Sequence, residues 1–129
     1  MTENEDGGRR VVLVVEDFED NRFMMKRLLE MSGYQVVEAV NGNQAVELAV
    51  SERPDIILMD LSLPQLDGLA ATRRIRAQDG MGRVPIVAVS AHDSADFHAE
   101  ALAAGCNEYV TKPIDFDHLV QLLNTMTAR

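Results

Sequence analysis

The sequence predicts an α/β fold, a doubly wound five-stranded parallel sheet of strand order 2-1-3-4-5 with helices on both faces. Three observations predict it. Short apolar runs recur about every 20 to 30 residues. The segments between them carry apolar residues three and four apart, the spacing of a helix face. Glycine or proline falls where one element must stop before the next begins. A β-α alternation repeated five times implies a parallel sheet with right-handed crossovers, and 129 residues are one domain's worth of chain.

Taken in order, the polar start "MTENEDGG" reads as a loose lead-in over residues 1–8, with the domain at 9–129. The first strand is "VVLVV" from Val11, and Met24, Met25, Leu28 and Leu29 mark the first helix, stopped by Gly33. In the second strand, "YQVVEAV" from Tyr34, Gln35 and Glu38 interrupt Val36 and Val37. That alternation suits a strand with one exposed face and places it at an edge. Pro54 precedes the third strand, "DIILM" from Asp55; Gly80 and Gly82 precede the fourth, "PIVAV" from Pro85. The fourth helix, "ADFHAEALAAG", is alanine-rich with a thin apolar stripe and stops at Gly105. "EYVT" from Glu108 is the fifth strand, and Phe116, Leu119, Val120 and Leu123 line the fifth helix. All strands but the second read as apolar or nearly so, as burial on both faces demands. With the second strand at an edge, the first lies beside it and the third beyond the first.

Composition removes several functions. A formal net charge of −9 disfavours nucleic acid or an anionic membrane surface as direct partner. No apolar run approaches the ~20 residues of a membrane span, and the start lacks the apolar core of a secretory signal, so a cytoplasmic location is expected. The lone Cys106 excludes an internal disulfide and reads as a small buried filler. His92, His98 and His118 lie among polar neighbours and are expected at the surface.

The stretch "PDIILMDLSLPQLDG" poses the functional question, because an apolar run built for an interior ends in the carboxylate of Asp60. The other strands answer it. The first runs into Glu16 and Asp17, the fourth into Ser90 and the fifth into Lys112. In a parallel sheet all carboxyl ends share one rim, so residues up to 96 positions apart converge on one cleft. Taken singly, Asp17 reads equally well as an N-cap, Ser90 as a turn and Lys112 as a solvated side chain; their joint placement is what indicates a site. Three carboxylates so close repel unless a cation intervenes. Mg2+, with Mn2+ as a substitute, suits them, being hard and content with one or two carboxylates, waters and a substrate phosphate. Asp60 is then the natural nucleophile of a phosphoryl site.

The pieces "VVLVVED", "IILMDLSLPQLDG" with Asp60, Pro64 and Gly68, "VPIVAVSA" and "YVTKPI", in that order from about Arg9 to Thr127, resemble the receiver domain of two-component response regulators, of the single-domain type. The resemblance implies a flavodoxin-like fold and a phosphorylation-activated switch, not an enzyme. It implies that Asp60 accepts a phosphoryl group from a histidine kinase or phosphotransfer protein. Asp17, Asp60 and the backbone carbonyl of Ser62 would hold the metal, with Glu16 holding it through water. Lys112 would pair with Asp60 and then with the phosphoryl group, and Ser90 would donate its hydroxyl to it. Tyr109 would turn into the space Ser90 vacates, reshaping the face of helix four, strand five and helix five; its rival reading is a plain aromatic on an edge strand. Ser62 and His92 stand where the family tunes loss of the phosphoryl group. Glu16 departs from the shorter Asp common there. The family often has the Lys112–Pro113 bond cis, whereas the residues alone favour trans by ~0.5 to 1 kcal/mol.

A haloacid dehalogenase-type hydrolase would carry a second Asp two residues after the nucleophile, where Ser62 stands. A flavin module would need hydroxyls and amides where Glu16 and Asp17 stand. A phosphorylation-independent interaction module with the same fold remains as the alternative. With no output domain in this chain, the signal is expected to leave by contact with a protein target, from a monomer or a phosphorylation-dependent dimer. The kinase is expected to dock on the first turns of the helix after Asp17 and on the loop of Pro113 and Ile114. Phe18 is a candidate contact or an apolar staple onto its own helix.

Overall fold

A computed structural model of the chain describes residues 9–63, 67–92 and 94–128. The lead-in at 1–8 and Pro64 lie outside the described residues. Ten elements alternate along the chain. β1 (Val11–Val15), α1 (Glu19–Met31), β2 (Gln35–Ala39), α2 (Gly42–Glu52) and β3 (Ile56–Asp60) form the first half. α3 (Gly68–Arg76), β4 (Ile86–Ser90), α4 (Ala95–Ala104), β5 (Glu108–Thr111) and α5 (Phe116–Met126) form the second. The sheet order is β2-β1-β3-β4-β5, with every pair parallel. This is the expected doubly wound, flavodoxin-like architecture.

Successive side chains of a strand point to opposite faces, so the central strands feed two cores. Leu13, Val15, Ile57, Met59, Ile86 and Ala88 pack with Ala45, Ala49, Ala71, Ile75 and Ala101 from α2, α3 and α4. Val12, Val14, Ile56, Leu58 and Val87 face Leu29 of α1 and Leu119 and Leu123 of α5. β3 and β4 are buried at every residue. Asp60 and Ser90 therefore stand at the ends of strands that cannot shift without disturbing both cores.

The fifth strand is the second edge, as the expected order requires, but its nearly apolar sequence does not mean burial on both faces: Glu108 is exposed and only Val110 is buried. The rim thus draws its polar groups from three inner strands and one border strand. At the other border Gln35 is exposed, and the half-buried Glu38 pairs with Arg22 at 3.2 Å and Lys26 at 3.4 Å.

Local chemistry explains the helix ends. Asn41, Asp67, Ser94 and Asp115 cap α2 to α5 by accepting from the backbone N–H three residues on. α1 differs: Phe18 occupies its N-cap and offers no side-chain bond. Asp17 is therefore not spent as a cap. At the far end of the third crossover, Arg76 donates to the Gly105, Met81 and Val84 carbonyls at 2.6 to 3.1 Å and to the Asn107 side chain at 2.9 Å. This ties the end of α3 to the turn after α4, where Gly105 closes the helix at φ 116°. Only Ala101 and Ala104 of α4 are buried, and Leu102 is exposed, which is the thin stripe expected.

Cys106 is buried, as expected of a filler. Burial pushes its thiol up, away from the reactive thiolate, against a weaker opposing pull from the Thr72 hydroxyl 3.8 Å away. His92 and His118 are exposed. His98 is not simply a surface residue: half-buried, its ring stacks on Tyr109 with centroids 3.9 Å apart.

Candidate functional site

The ladder hydrogen bonds carry the strands to their rim. Glu16 N donates to Ala39 O at 3.0 Å, Leu61 N to Val89 O at 3.1 Å, and Lys112 N to Ser90 O at 2.8 Å. This registers Glu16, Asp60, Ser90 and Lys112 along one end of the sheet. One carboxylate oxygen from each of Glu16, Asp17 and Asp60 lies within 4.8 Å of the others. Lys112 Nζ stands 3.3 Å from Asp60 Oδ2 and 3.7 Å from Glu16 Oε1. The Lys112–Pro113 peptide bond is cis.

Burial grades the three acids. Asp60 is 4% exposed, Glu16 is intermediate and Asp17 is exposed. Asp60 Oδ1 accepts the Ser62 N–H at 2.9 Å, and Glu16 Oε2 accepts the Phe18 N–H at 3.1 Å. Ser62 itself is exposed. The floor of the site is tight: α3 starts at Gly68, where a Cβ would meet the Asp60 carbonyl oxygen at 2.4 Å and Leu61 Cα at 2.7 Å.

Burial and then the Asp60 charge push the Glu16 carboxyl up, against the Phe18 amide and Lys112, which pull it down. A raised native pKa means that the folded chain holds a proton the unfolded chain has released. This contribution to metal-free stability is therefore whole below the ordinary carboxylate range and is lost as pH rises through the raised pKa. Divalent cations need the deprotonated form, so the rise in melting midpoint caused by Mg2+ should grow with pH across the same interval, relative to chelator. A Glu16→Gln variant should show a weaker pH dependence, and a Mg2+ effect independent of pH would contradict this account.

The charge balance is the test of fit for a metal. Three carboxylates face a single ammonium, and one of the three is almost wholly buried. An all-oxygen donor set of that charge suits Mg2+ or Mn2+.

The second half of the rim is aromatic. Ser90 is fully buried, and its Oγ accepts the His92 N–H at 3.0 Å. Tyr109 OH donates to the His92 carbonyl at 2.7 Å. The His92 ring stacks on Phe97 with centroids 4.2 Å apart and planes 3° from parallel. The Tyr109 ring is thus tied to the loop after Ser90 at its hydroxyl and covered by His98 on its face. Sequence reading missed His98, for which spacing from Tyr109 gave no signal; only the pairing of α4 with β5 brings the two together.

Beside the acids lies an apolar groove of about 450 Å3, lined by Met24, Met25, Leu28, Pro113, Ile114 and Phe116, with Glu16 and Lys112 at its rim. Phe18 is 57% exposed, not stapled onto its helix, and Phe23 and Met24 are exposed with it.

This geometry has relatives. The family model of the response regulator receiver domain matches residues 12–124. The polar-differentiation response regulator DivK of Brucella anthropi is 34% identical over 114 residues, 88% of this chain and 93% of that protein. Protein PilH of Pseudomonas aeruginosa is 32% identical over 117 residues, 91% of this chain and 97% of its own. A solved receiver domain of a Pseudomonas aeruginosa sensor histidine kinase, with a magnesium ion coordinated in its active site cleft, superposes with a TM-score of 0.87 at 38% identity, covering 95% of this chain and all of that one. The chemotaxis protein CheY4 of Vibrio cholerae gives a TM-score of 0.88 at 27% identity, over 92% of this chain and 99% of its own. With a family model matched over most of its length and an acidic cluster at the expected rim, the chain belongs to the response regulator receiver domain family.

Proposed function

We propose that the chain is a phosphorylation-activated signalling switch whose phosphoacceptor is Asp60. The observation that carries this reading is the position of Asp60, buried at the end of β3, with two further carboxylates and the Lys112 ammonium around it. In the transfer a carboxylate oxygen of Asp60 attacks phosphorus, and the bond to the donor nitrogen of a histidine kinase or phosphotransfer protein breaks as the acyl phosphate forms. Glu16, Asp17, Asp60 and the Ser62 carbonyl would hold Mg2+ or Mn2+. When bound, the ion supplies charge neutralisation for the phosphoryl oxygens.

The chain's own residues supply the rest. Lys112 stays with the oxygen on which negative charge grows. Ser90 Oγ, which accepts the His92 N–H, moves off it and donates its own proton to a phosphoryl oxygen, which frees the loop that Tyr109 holds by its hydroxyl. Tyr109 then turns inward, and the α4–β5–α5 face changes shape. A coupling of about 1 to 3 kcal/mol is typical of such links, so phosphorylation shifts a population. Ser62, whose N–H bonds Asp60, and His92, two residues past Ser90, are both exposed and govern the access of hydrolytic water.

A kinase helix or phosphotransfer helix would lie in the apolar groove beside Lys112, with Phe18 among its contacts. The signal passes to a protein target, from a monomer or a phosphorylation-dependent dimer, in the cytoplasm. No helix among the described residues is long and apolar enough to cross a membrane. Incubation with a small-molecule phosphodonor, followed by intact mass and peptide mapping, should show one phosphoryl addition, on Asp60, only when Mg2+ is present. Addition at another residue, or equally fast addition in chelator, would overturn the reading.

A further inference from the structure

α1 is the helix whose first turn lacks a side-chain cap, and its entry turn carries two of the three site acids. Besides the Phe18 N–H to Glu16 Oε2 bond and the Glu16 N–H to Ala39 carbonyl bond, a side chain from inside the helix ties that turn. Arg22 Nη1 donates to the Glu16 carbonyl at 3.2 Å and reaches the Asp17 carbonyl at 3.5 Å. Its Nε pairs with Glu38 Oε1 on β2 at 3.2 Å, and Lys26 Nζ holds the other Glu38 oxygen at 3.4 Å. The Arg22 side chain is only 15% exposed. A cation in the first turn is disfavoured by the helix dipole, so the residue is not explained as support for the helix. A planar guanidinium can hold Glu38 through Nε and the two successive carbonyls through Nη1 at once, a span that a single ammonium nitrogen does not have.

We propose that Arg22, anchored by Glu38, is a positioning residue for divalent-cation binding: it holds the Glu16–Asp17 peptide so that both carboxylates face the ion. This rests on the acidic cluster being a cation site. Two effects oppose each other. As a positive charge near the cluster, Arg22 repels the ion; as a clamp, it removes the ordering that binding would otherwise require. Glu38, which Arg22 shares with Lys26, offsets only part of the charge, so the clamp has to outweigh a residual repulsion for the inference to hold. The sign of one substitution therefore decides the matter, because removing a cation here should weaken the binding of another cation.

The test is calorimetric titration of Mg2+ into the chelator-stripped full chain, for wild type, Arg22→Gln, Glu38→Gln, the double variant and Asp17→Asn. Arg22→Gln should weaken Mg2+ binding by about tenfold, the scale of groups that support metal ligands. Glu38→Gln should weaken it less, and the double variant should be no worse than Arg22→Gln alone, since the two act as one unit. The loss should persist at high salt, where a Coulomb effect fades. Unchanged or tighter binding by folded Arg22→Gln overturns the inference, and so does a lowered melting midpoint in chelator with unaltered affinity. Should Arg22→Gln fail to fold, Glu38→Gln decides on the same criterion. If Asp17→Asn binds Mg2+ as well as wild type, the cation site itself falls, and the inference with it.

Discussion

Gly68→Ala is expected to destabilise the protein by about 3 kcal/mol, although glycine to alanine in a helix ordinarily stabilises by up to ~1 kcal/mol. The sign reverses because of what stands opposite. The new Cβ would lie 2.4 Å from the Asp60 carbonyl oxygen and 2.7 Å from Leu61 Cα, both backbone atoms that cannot rotate away. Relief requires α3 to lift off the end of β3, and Ala71 and Ile75, both fully buried, would lose packing. The same lift drags the peptide that carries Asp60, so phosphorylation by a small donor should slow in whatever fraction stays folded. Urea unfolding measures the first effect. A wild-type midpoint for Gly68→Ala would show that the approach of helix to strand is far looser than drawn here.

Asp60→Asn should have two effects of opposite benefit. It should abolish phosphoryl addition, because an amide oxygen is not the nucleophile that a carboxylate is. In chelator it should also raise stability. Asp60 lies within 4.8 Å of two like charges and 3.3 Å from one opposite charge. At an effective dielectric constant of 20, the Glu16 repulsion costs at least ~3.5 kcal/mol and the lysine returns ~5 kcal/mol, while solvent screens the exposed Asp17 to a fraction of the same cost. The pair terms nearly balance, and the desolvation of a carboxylate that is 4% exposed tips the sum toward repulsion. Asparagine keeps an oxygen for the Ser62 N–H, and Lys112 keeps Glu16 at 3.7 Å. A net gain on the order of 1 to 2 kcal/mol is expected from this imbalance. Mg2+ should shrink the gain by stabilising wild type more than the variant. A variant less stable than wild type in chelator would mean that the Lys112 pair outweighs the crowding. Full regulation of the partner by Asp60→Asn would favour the phosphorylation-independent alternative.

The fold was legible because the two periodicities are clean. Strands buried on both faces read as continuous apolar runs, and the helix face of Phe116, Leu119, Val120 and Leu123 cannot be mistaken for a strand. The site was legible for a topological reason: parallel strands deliver their carboxyl ends to one rim, so Glu16, Asp17, Asp60 and Lys112 could be collected without coordinates. What stayed hidden depends on contacts between elements. Arg22 reads as one more charged helix residue until its reach to the Glu16 carbonyl and Glu38 is measured. His98 reads as a surface histidine until Tyr109 lies beneath it. The fifth strand reads as buried on both faces because Tyr109 and Val110 are apolar, yet at the edge that the strand order gives it Glu108 is exposed and Tyr109 only half-buried. A capping role for Asp17 could be set aside only once Phe18 was seen at the helix start.

The two borders of the sheet carry a further consequence. The β5 border presents the exposed Glu108 and is only four residues long, while at the β2 border Glu38 is already held by Arg22 and Lys26. A second molecule laying its matching strand along β5 would set carboxylate against carboxylate for little hydrogen bonding in return, and one along β2 would meet two charged side chains of α1 beside the strand, which is how natural sheets deter fibrillar stacking. Self-association of this protein, when it occurs, should therefore run through helical surfaces and leave the sheet margins unzipped even at high concentration.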